Sequence, residues 1–117
     1  MLFEKGIINW PKNRLKYYVK MKRGGSTYIL TNKNNTTLYT GSAEDLFVRM
    51  NEHKGKFYAN SFTARYNINK LVYYKDFKRI EEAREYERYI KGKSRKWKEE
   101  LISGFNPEWK DQSGRLA

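Results

Sequence analysis

A single carboxylate interrupts an otherwise apolar helical stripe in the C-terminal half of the chain. Residues 80, 83, 87 and 90 recur at spacings of three, four and three, which places them along one face of a helix. Ile80, Ala83 and Ile90 are apolar, whereas Glu87 is acidic. An unpaired buried carboxylate is strongly destabilising, so Glu87 needs a partner. Two interpretations stay open: Glu87 pairs with an arginine at the edge of the stripe, or it is a metal ligand or general base where the helix meets a sheet.

Arg49 and His53 form a second candidate pair, because residues four apart share one face of a helix. The apolar residues of the segment 43–54 follow helical spacing, and Ser42 is expected to cap this helix with Asp45 at its third position. Taken alone, Arg49 is equally typical of a helix surface, and His53 of a polar residue with ordinary hydrogen bonds.

Two tyrosines are expected to meet on a β-hairpin. The β-rich runs 27–31 and 36–40 are separated by the spacer 32–35, which contains three asparagines and suits a tight turn. If the turn is centred between residues 33 and 34, Tyr28 lies opposite Tyr39 and both phenols project from the same side of the sheet. Cross-strand aromatic packing alone would also explain this pair.

A basic cluster follows the helical stripe. Basic side chains with one interleaved aromatic suit the neutralisation of a nucleic-acid backbone together with base or sugar stacking, although a solvated helix face is an equal interpretation. The cluster comprises Arg84, Arg88, Lys91, Lys93, Arg95, Lys96, Trp97 and Lys98.

The composition restricts the kinds of site that the chain can build. With 117 residues it has the size of one domain. The absence of Cys excludes disulfides, thiolate zinc sites and a Cys nucleophile, and a single His excludes sites made of several imidazoles. A bound metal would therefore need oxygen ligands, which favours Mg²⁺ or Mn²⁺.

The net charge of +12 favours a polyanionic partner, of which nucleic acid is the commonest. A basic surface that only keeps the protein soluble is the other interpretation. Residues 1–24 carry seven basic residues and one acidic residue, hence +6, or half of the excess. We expect residues 1–24 to form a loosely attached basic arm; alternatively, Met21 is the native start and residues 1–20 are an upstream extension.

The remaining elements define the fold class. A long polar connection over 55–69 precedes a third strand at 70–77, a helix at 80–91, a break at Gly92 and a helix at 94–103. The order ββαβαα predicts an α/β fold in which a small three-stranded, mainly antiparallel sheet, made of the hairpin plus one strand, is flanked by helices. Since no stretch approaches the roughly 20 apolar residues of a membrane span and no signal peptide is evident, we expect a cytoplasmic protein without a membrane partner.

Together these motifs resemble the GIY-YIG nuclease superfamily. The hairpin 26–41 is similar to its paired tyrosine signature, Arg49 stands ten residues after Tyr39, and Glu87 lies in the helix after the third strand. The spacing of Arg49 and His53 also matches many members. The segment from Lys91 to Trp109 resembles a small stand-alone subgroup related to the N-terminal domain of an excision-repair nuclease.

The resemblance covers about residues 22–112 and has departures. The first triplet reads Ser-Thr-Tyr and the second Tyr-Thr-Gly, although both tyrosines and the second glycine, Gly41, are present. Asn106 is the nearest counterpart of the family's downstream asparagine. The implied division is a basic arm at 1–24, a GIY-YIG-like nuclease domain at 25–112 and a tail at 113–117.

The resemblance implies a metal-dependent endonuclease that hydrolyses DNA phosphodiester bonds in repair or processing. Glu87 would bind one Mg²⁺ or Mn²⁺ ion, and Arg49 would hold the phosphate. Tyr28 would orient or deprotonate the attacking water, with its pKa lowered by Arg49 and a metal-bound water, and Tyr39 would support it. His53 would relay the proton or hold the phosphate. Gly41 would let the backbone turn tightly beside the site.

Two alternatives remain. The first is a non-catalytic nucleic-acid-binding module of the same fold, although the presence of Arg49 and Glu87 argues against it. The second is a protein-interaction domain whose basic surface meets an acidic partner. The sequence leaves open the preferred nucleic-acid structure, DNA versus RNA, and the oligomeric state.

Overall fold

The sheet is built around a hairpin, and a computed structural model describes it together with the rest of residues 24–55 and 61–116. Strands β1 (Gly25–Thr31) and β2 (Leu38–Ala43) pair antiparallel, and β3 (Lys70–Phe77) adds antiparallel to the other edge of β1. The strand order is therefore β2-β1-β3. Every residue of the central strand β1 is buried. The predicted three-stranded antiparallel sheet is confirmed, whereas the predicted arm falls almost wholly on residues 1–23, outside the described part.

The predicted hairpin register is wrong by two residues. Tyr28 pairs with Gly41, and Tyr39 pairs with Leu30. The turn does close between Asn32 and Asn35, whose backbone nitrogen donates to the Asn32 carbonyl at 3.0 Å. However, the Asn32 side-chain oxygen also accepts the backbone N–H groups of residues 36 and 37, which keeps both residues out of the ladder. Since a shift of two preserves the facing of every side chain, both tyrosines still project from one side of the sheet.

Four α-helices and one 3₁₀ turn complete the described chain. They are α1 (Leu46–Gly55), α2 (Phe62–Arg65), α3 (Ile80–Lys91), α4 (Arg95–Phe105) and the turn Ser113–Arg115. The predicted order ββαβαα is confirmed, with α2 added inside the connection that was expected to be irregular. Within the two described ranges, no helix is both long enough and apolar enough to cross a bilayer.

The first helix begins three residues later than predicted. Gly41, Ser42 and Ala43 remain in β2, so Ser42 neither ends the strand nor caps a helix. Asp45 takes the capping role, because its side-chain oxygen accepts the backbone N–H of Val48 at 3.2 Å. The extension of β2 leaves the Ser42 side chain free to face a different element.

Helices cover both faces of the sheet, which explains why β1 is buried throughout. Side chains alternate along a strand, so Tyr28 and Leu30 face α1 while Ile29 faces α3 and α4. On the α1 side they pack in one cluster with Leu46, Met50, Ile68, Leu71 and Leu116. Leu116 lies in the segment that was expected to be a tail, yet only 8% of it is exposed.

The second cluster fixes α3 on the opposite face. Ile90 packs with Ile29, Val72 and Ile102, and Ala83 is also fully buried. The Thr27 hydroxyl donates to the Ala83 carbonyl at 2.6 Å and ties the central strand to the helix. These contacts set the rotation of α3 about its axis, and with it the direction in which the Glu87 side chain points.

Candidate active site

The two tyrosines lie on the α1 side of the sheet and share a histidine neighbour. Tyr28, from the central strand, is fully buried, and its ring centroid lies 6.4 Å from that of Tyr39. The His53 ring centroid lies 6.0 Å from Tyr28 and 6.1 Å from Tyr39. The hairpin and α1 therefore bring three predicted site residues together.

Gly41 makes room for the phenol of Tyr28. A Cβ atom at residue 41 would lie 2.7 Å from the Tyr28 hydroxyl oxygen and 2.8 Å from its Cζ atom. Gly41 stands inside β2 opposite Tyr28, so the expected tight turn at this glycine is wrong. The residue matters because its missing side chain lets the aromatic ring cross the strand backbone.

His53 connects the tyrosine to a residue that the sequence did not single out. Its Nε2 atom lies 3.3 Å from the Tyr28 hydroxyl, and its Nδ1 atom lies 3.1 Å from the Thr63 hydroxyl on α2. Burial, followed by the positive charge of Arg49, lowers the pKa of His53 to about 4. The imidazole is therefore neutral at neutral pH, with one nitrogen protonated and the other free to accept.

The Tyr28 hydroxyl holds its proton more tightly than an ordinary phenol. Burial is the largest cause of the raised pKa of Tyr28, and Tyr39 and Glu87 raise it further. Arg49 does lower the pKa, as expected, but the other effects outweigh it. The expected net lowering also requires a metal-bound water, and it is not present in the protein by itself because the Tyr28 phenol is fully buried. Tyr28 is a neutral hydrogen-bonding group at neutral pH.

Arg49 lies where two surface clefts meet. One cleft, of about 310 Å³, is also lined by Tyr39, His53 and Thr63, and the other, of about 350 Å³, by Ser42. The two clefts adjoin at Arg49 and Glu52, which line both of them. Arg49 can therefore face a single ligand that spans both clefts.

Glu52 is the current partner of Arg49 and was not among the predicted residues. Its Oε1 atom lies 3.1 Å from the Arg49 Nε atom, and it lines both clefts. The Arg49 side chain is 42% exposed, so its guanidinium remains accessible to a phosphate. The spacing of three residues along a helix is the signal that could have revealed this pair.

Glu87 is held by a lysine and a serine. Its Oε2 atom lies 2.6 Å from the Lys91 Nζ atom, and its Oε1 atom accepts a hydrogen bond of 2.5 Å from the Ser42 hydroxyl. Burial raises the pKa of Glu87, but the hydrogen bonds from Lys91 and Ser42 and the charges of Lys91 and Arg88 outweigh it, so the pKa lies below its usual value. Glu87 is ionised at neutral pH. Of the two open interpretations, pairing at the edge of the stripe is present, with lysine in place of arginine.

The donor set at Glu87 suits one hard cation. The carboxylate is ionised and 20% exposed, and the Ser42 hydroxyl adds a neutral oxygen beside it. In residues 24–55 and 61–116, no cluster of three or more acidic or histidine side chains could enclose a metal. Such an ion would therefore complete its coordination with water and phosphate oxygens, and Lys91 would have to swing away, which its 54% exposed side chain permits.

The predicted basic cluster divides into two groups. The α3 members lie near the carboxylate: Arg84 lines the cleft shared with Ser42, Arg88 acts electrostatically on Glu87, and Lys91 pairs with Glu87. On α4, Lys96 is exposed and Lys98 is half-buried. The α3 group is the one positioned to meet a ligand that reaches Glu87.

Two members of the cluster have structural contacts. Arg95 donates to the carbonyl oxygens of Asn35 at 2.9 Å and Thr36 at 2.8 Å, and so holds the hairpin loop. Trp97 is half-buried against the second core cluster, with Lys93 over its ring at 5.6 Å. The expected base stacking on Trp97 would use only its remaining exposed edge.

Asn106 lies away from the two clefts and holds the chain after α4. It is 5% exposed, and its side-chain nitrogen donates to the carbonyls of Val72 and Lys110 while its oxygen accepts the Lys110 backbone N–H. These contacts give the suggested counterpart of the family asparagine a clear structural function.

Comparison with known protein families agrees with the resemblance that the sequence motifs indicate. A family model described as the GIY-YIG catalytic domain matches residues 24–100, which is well over half of the chain. No curated protein and no solved structure matches the chain significantly. The matched range contains both tyrosines, Arg49, His53 and Glu87.

Proposed function

The chain belongs to the GIY-YIG family, and from this premise we propose that it is an endonuclease that hydrolyses DNA phosphodiester bonds with one divalent metal ion, in DNA repair or processing. The observation that carries the proposal is geometric. Tyr28 and Tyr39 meet at His53 beside a cleft that Arg49 lines, and Arg49 also lines the neighbouring cleft, where Ser42 binds Glu87. A purely structural aromatic pair would not need an arginine and a carboxylate at the adjoining clefts.

Arg49 and Glu87 have complementary functions in this proposal. Arg49 offers a planar, always charged fork to the scissile phosphate, and its present partner Glu52 gives way to the phosphate. Glu87 and Ser42 would hold the metal ion, which would supply positive charge at the phosphate and the leaving oxygen. The basic residues Arg84 and Arg88 neutralise neighbouring phosphates.

Tyr28 and His53 move a proton away from the attacking water. A water that enters from the cleft beside Tyr39 and His53 would give its proton to the Tyr28 oxygen, while Tyr28 passes its own proton to Nε2 of the neutral His53, 3.3 Å away. Because burial raises the pKa of Tyr28, an exchange of this kind has the advantage that no free phenolate forms. Thr63 positions the ring through Nδ1, and Tyr39 packs beside it.

The test is cleavage of a panel of labelled DNA substrates with Mg²⁺ or Mn²⁺ by the wild-type protein, Glu87→Gln and Glu85→Gln. Glu85 lies on the same helix but is exposed, so its variant controls for the loss of one negative charge. We expect metal-dependent cleavage by the wild type and Glu85→Gln, and a loss of about 10²-fold or more in Glu87→Gln. DNA binding without cleavage by the wild type would instead support a non-catalytic binding module.

A further inference from the structure

Two exposed aromatic rings lie at the ends of the short helix α2: Phe62 begins the helix and Tyr66 follows its last residue. Phe62 is 52% exposed and Tyr66 is 53% exposed, yet their ring centroids lie only 4.9 Å apart. Single exposed apolar residues are common on protein surfaces, but two large rings in mutual contact form a small apolar platform. Such a platform stabilises little by itself while it remains open to water.

This platform is fixed beside the first cleft. Two of the three residues between the rings, Thr63 and Ala64, line the cleft, and the Thr63 hydroxyl contacts His53. Ser61 caps the helix by accepting the Ala64 backbone N–H at 3.2 Å. Immediately after the platform, the backbone N–H of the fully buried Ile68 donates to the Thr63 carbonyl at 2.8 Å. The rings are therefore held at a set position relative to the proton-transfer residues.

The positive charge next to the platform indicates which kind of ligand binds there. The Arg65 guanidinium lies 5.7 Å from the Tyr66 ring centroid, and the whole chain carries a net charge of +12. Flat aromatic surfaces beside a guanidinium bind nucleobases, because every base offers a π-face and its phosphate is anionic. Acidic side chains alone would satisfy the charge but would leave the two rings uncovered.

We propose that Phe62 and Tyr66 form a stacking site for an unpaired nucleobase of the substrate next to the scissile phosphate, an inference that rests on the proposed nuclease function. In a continuous duplex every base is already stacked between its neighbours, so no base can reach the platform without unstacking. The chain therefore prefers DNA that contains a single-stranded gap, flap or bulge over fully paired DNA.

The first test measures equilibrium binding of the full chain to fluorescein-labelled DNA, with EDTA present to prevent cleavage. Gapped and fully paired duplexes of equal charge are compared for the wild type, the double variant Phe62→Ala/Tyr66→Ala and the control Tyr89→Ala. Tyr89 is equally exposed but lies on α3, away from the cleft. We expect the double variant to lose about five- to 150-fold in affinity for gapped DNA and little for the duplex. An equal loss in Tyr89→Ala, or an equal loss on both DNAs, would overturn the proposal.

A second test changes the DNA and keeps the protein intact. Replacing the unpaired bases with abasic units retains the phosphates but removes the stacking partners. On abasic DNA, the affinity of the wild type should fall by the same factor as the double substitution causes on gapped DNA. The affinity of the double variant should not fall further on abasic DNA. Independent, additive losses would contradict stacking between these groups. Reduced self-association of the double variant with unchanged DNA affinity would identify a second copy of the chain as the partner and overturn the proposal.

These binding measurements are independent of cleavage. A preference for gapped DNA that depends on Phe62 and Tyr66 would stand even if Glu87→Gln cleaved as well as the wild type. Conversely, Glu87-dependent cleavage without such a preference would leave the nuclease function intact and remove the stacking site.

Discussion

Replacing Gly41 with alanine tests whether the position of the Tyr28 phenol depends on one missing side chain. An alanine Cβ would lie 2.7 Å from the Tyr28 hydroxyl oxygen and 2.8 Å from its Cζ atom, whereas ordinary contact begins at 3.4 Å. The oxygen would have to move by 3.4 minus 2.7, or 0.7 Å. Tyr28 is fully buried among core residues, so the ring cannot move without displacing them.

The expected magnitudes follow from this displacement. Overpacking a filled core costs about 1–3 kcal/mol, so the free energy of unfolding of Gly41→Ala should fall by that amount. A catalytic group displaced by nearly 1 Å loses about ten- to 100-fold in rate, and we expect kcat on a cleavable DNA to fall accordingly. Metal affinity should change little, since Ser42 and Glu87 meet on the face of β2 opposite to the added Cβ, which points at Tyr28.

Urea unfolding and steady-state cleavage measure the two effects, and Gly104→Ala is the matched control. A Cβ at residue 104, inside α4, meets no atom within 4 Å, so this variant should be slightly more stable, by up to about 1 kcal/mol, with unchanged activity. The double variant Gly41→Ala/Tyr28→Phe lacks the hydroxyl that makes the closest contact. It should therefore be less destabilised than the sum of the two single variants.

Strict additivity in that double variant would refute the reasoning, because it would mean that the Cβ and the hydroxyl do not meet. Wild-type stability and activity in Gly41→Ala would refute it as well. A loss of stability with full activity would show that the phenol moves but that its position does not limit catalysis.

Two further predictions concern His53 and Lys91. The pKa of His53 is about 4 in the folded protein and 6.5 in the unfolded chain, so protons bind preferentially to the unfolded chain. The free energy of unfolding should therefore be highest above pH 6.5 and fall as the pH drops toward 4. Urea midpoints across this range should show a shallower decline in His53→Gln, and parallel declines would contradict burial of a neutral ring. Lys91→Met removes the ammonium group that is paired with Glu87, and Lys96→Met is the control because it removes an exposed charge elsewhere. The affinity for Mn²⁺, measured by electron paramagnetic resonance, should be about two- to five-fold higher in Lys91→Met than in Lys96→Met. Equal affinities in these two variants would show that Lys91 does not compete with metal.

Periodic features of the sequence predicted the fold well. The stripe at 80, 83, 87 and 90 placed α3 within its observed bounds, because burial of Ala83 and Ile90 leaves a helix only one orientation on the sheet. The alternation within β1 and β2 placed both tyrosines on one face, even though the predicted register was wrong. A prediction of which face of the sheet a side chain occupies still holds after a register shift of two residues. A prediction of which residues lie directly opposite each other does not.

Features that depend on individual side chains were not predictable in the same way. Asn32 captures two backbone N–H groups after the turn, and no periodic pattern signals such a contact. Ser42 resembles a helix cap in sequence, but the hairpin register keeps it in β2, where its side chain reaches Glu87. Thr63 lies ten residues from His53 on a helix of four residues, which is too short to show a helical pattern.

The ion pairs of the site orient its charged side chains and still leave them accessible to a ligand. Arg49 and Glu87 are both paired within their own helices, with Glu52 three residues away and Lys91 four residues away. Partly exposed pairs of this kind contribute only about 0–1 kcal/mol, because water screens them and both side chains lose freedom. They keep the two groups oriented, yet they are weak enough for a phosphate to replace Glu52 and a cation to replace Lys91. The metal ion brings two positive charges and the phosphate one negative charge to neighbouring positions, so binding of the phosphate should favour binding of the metal.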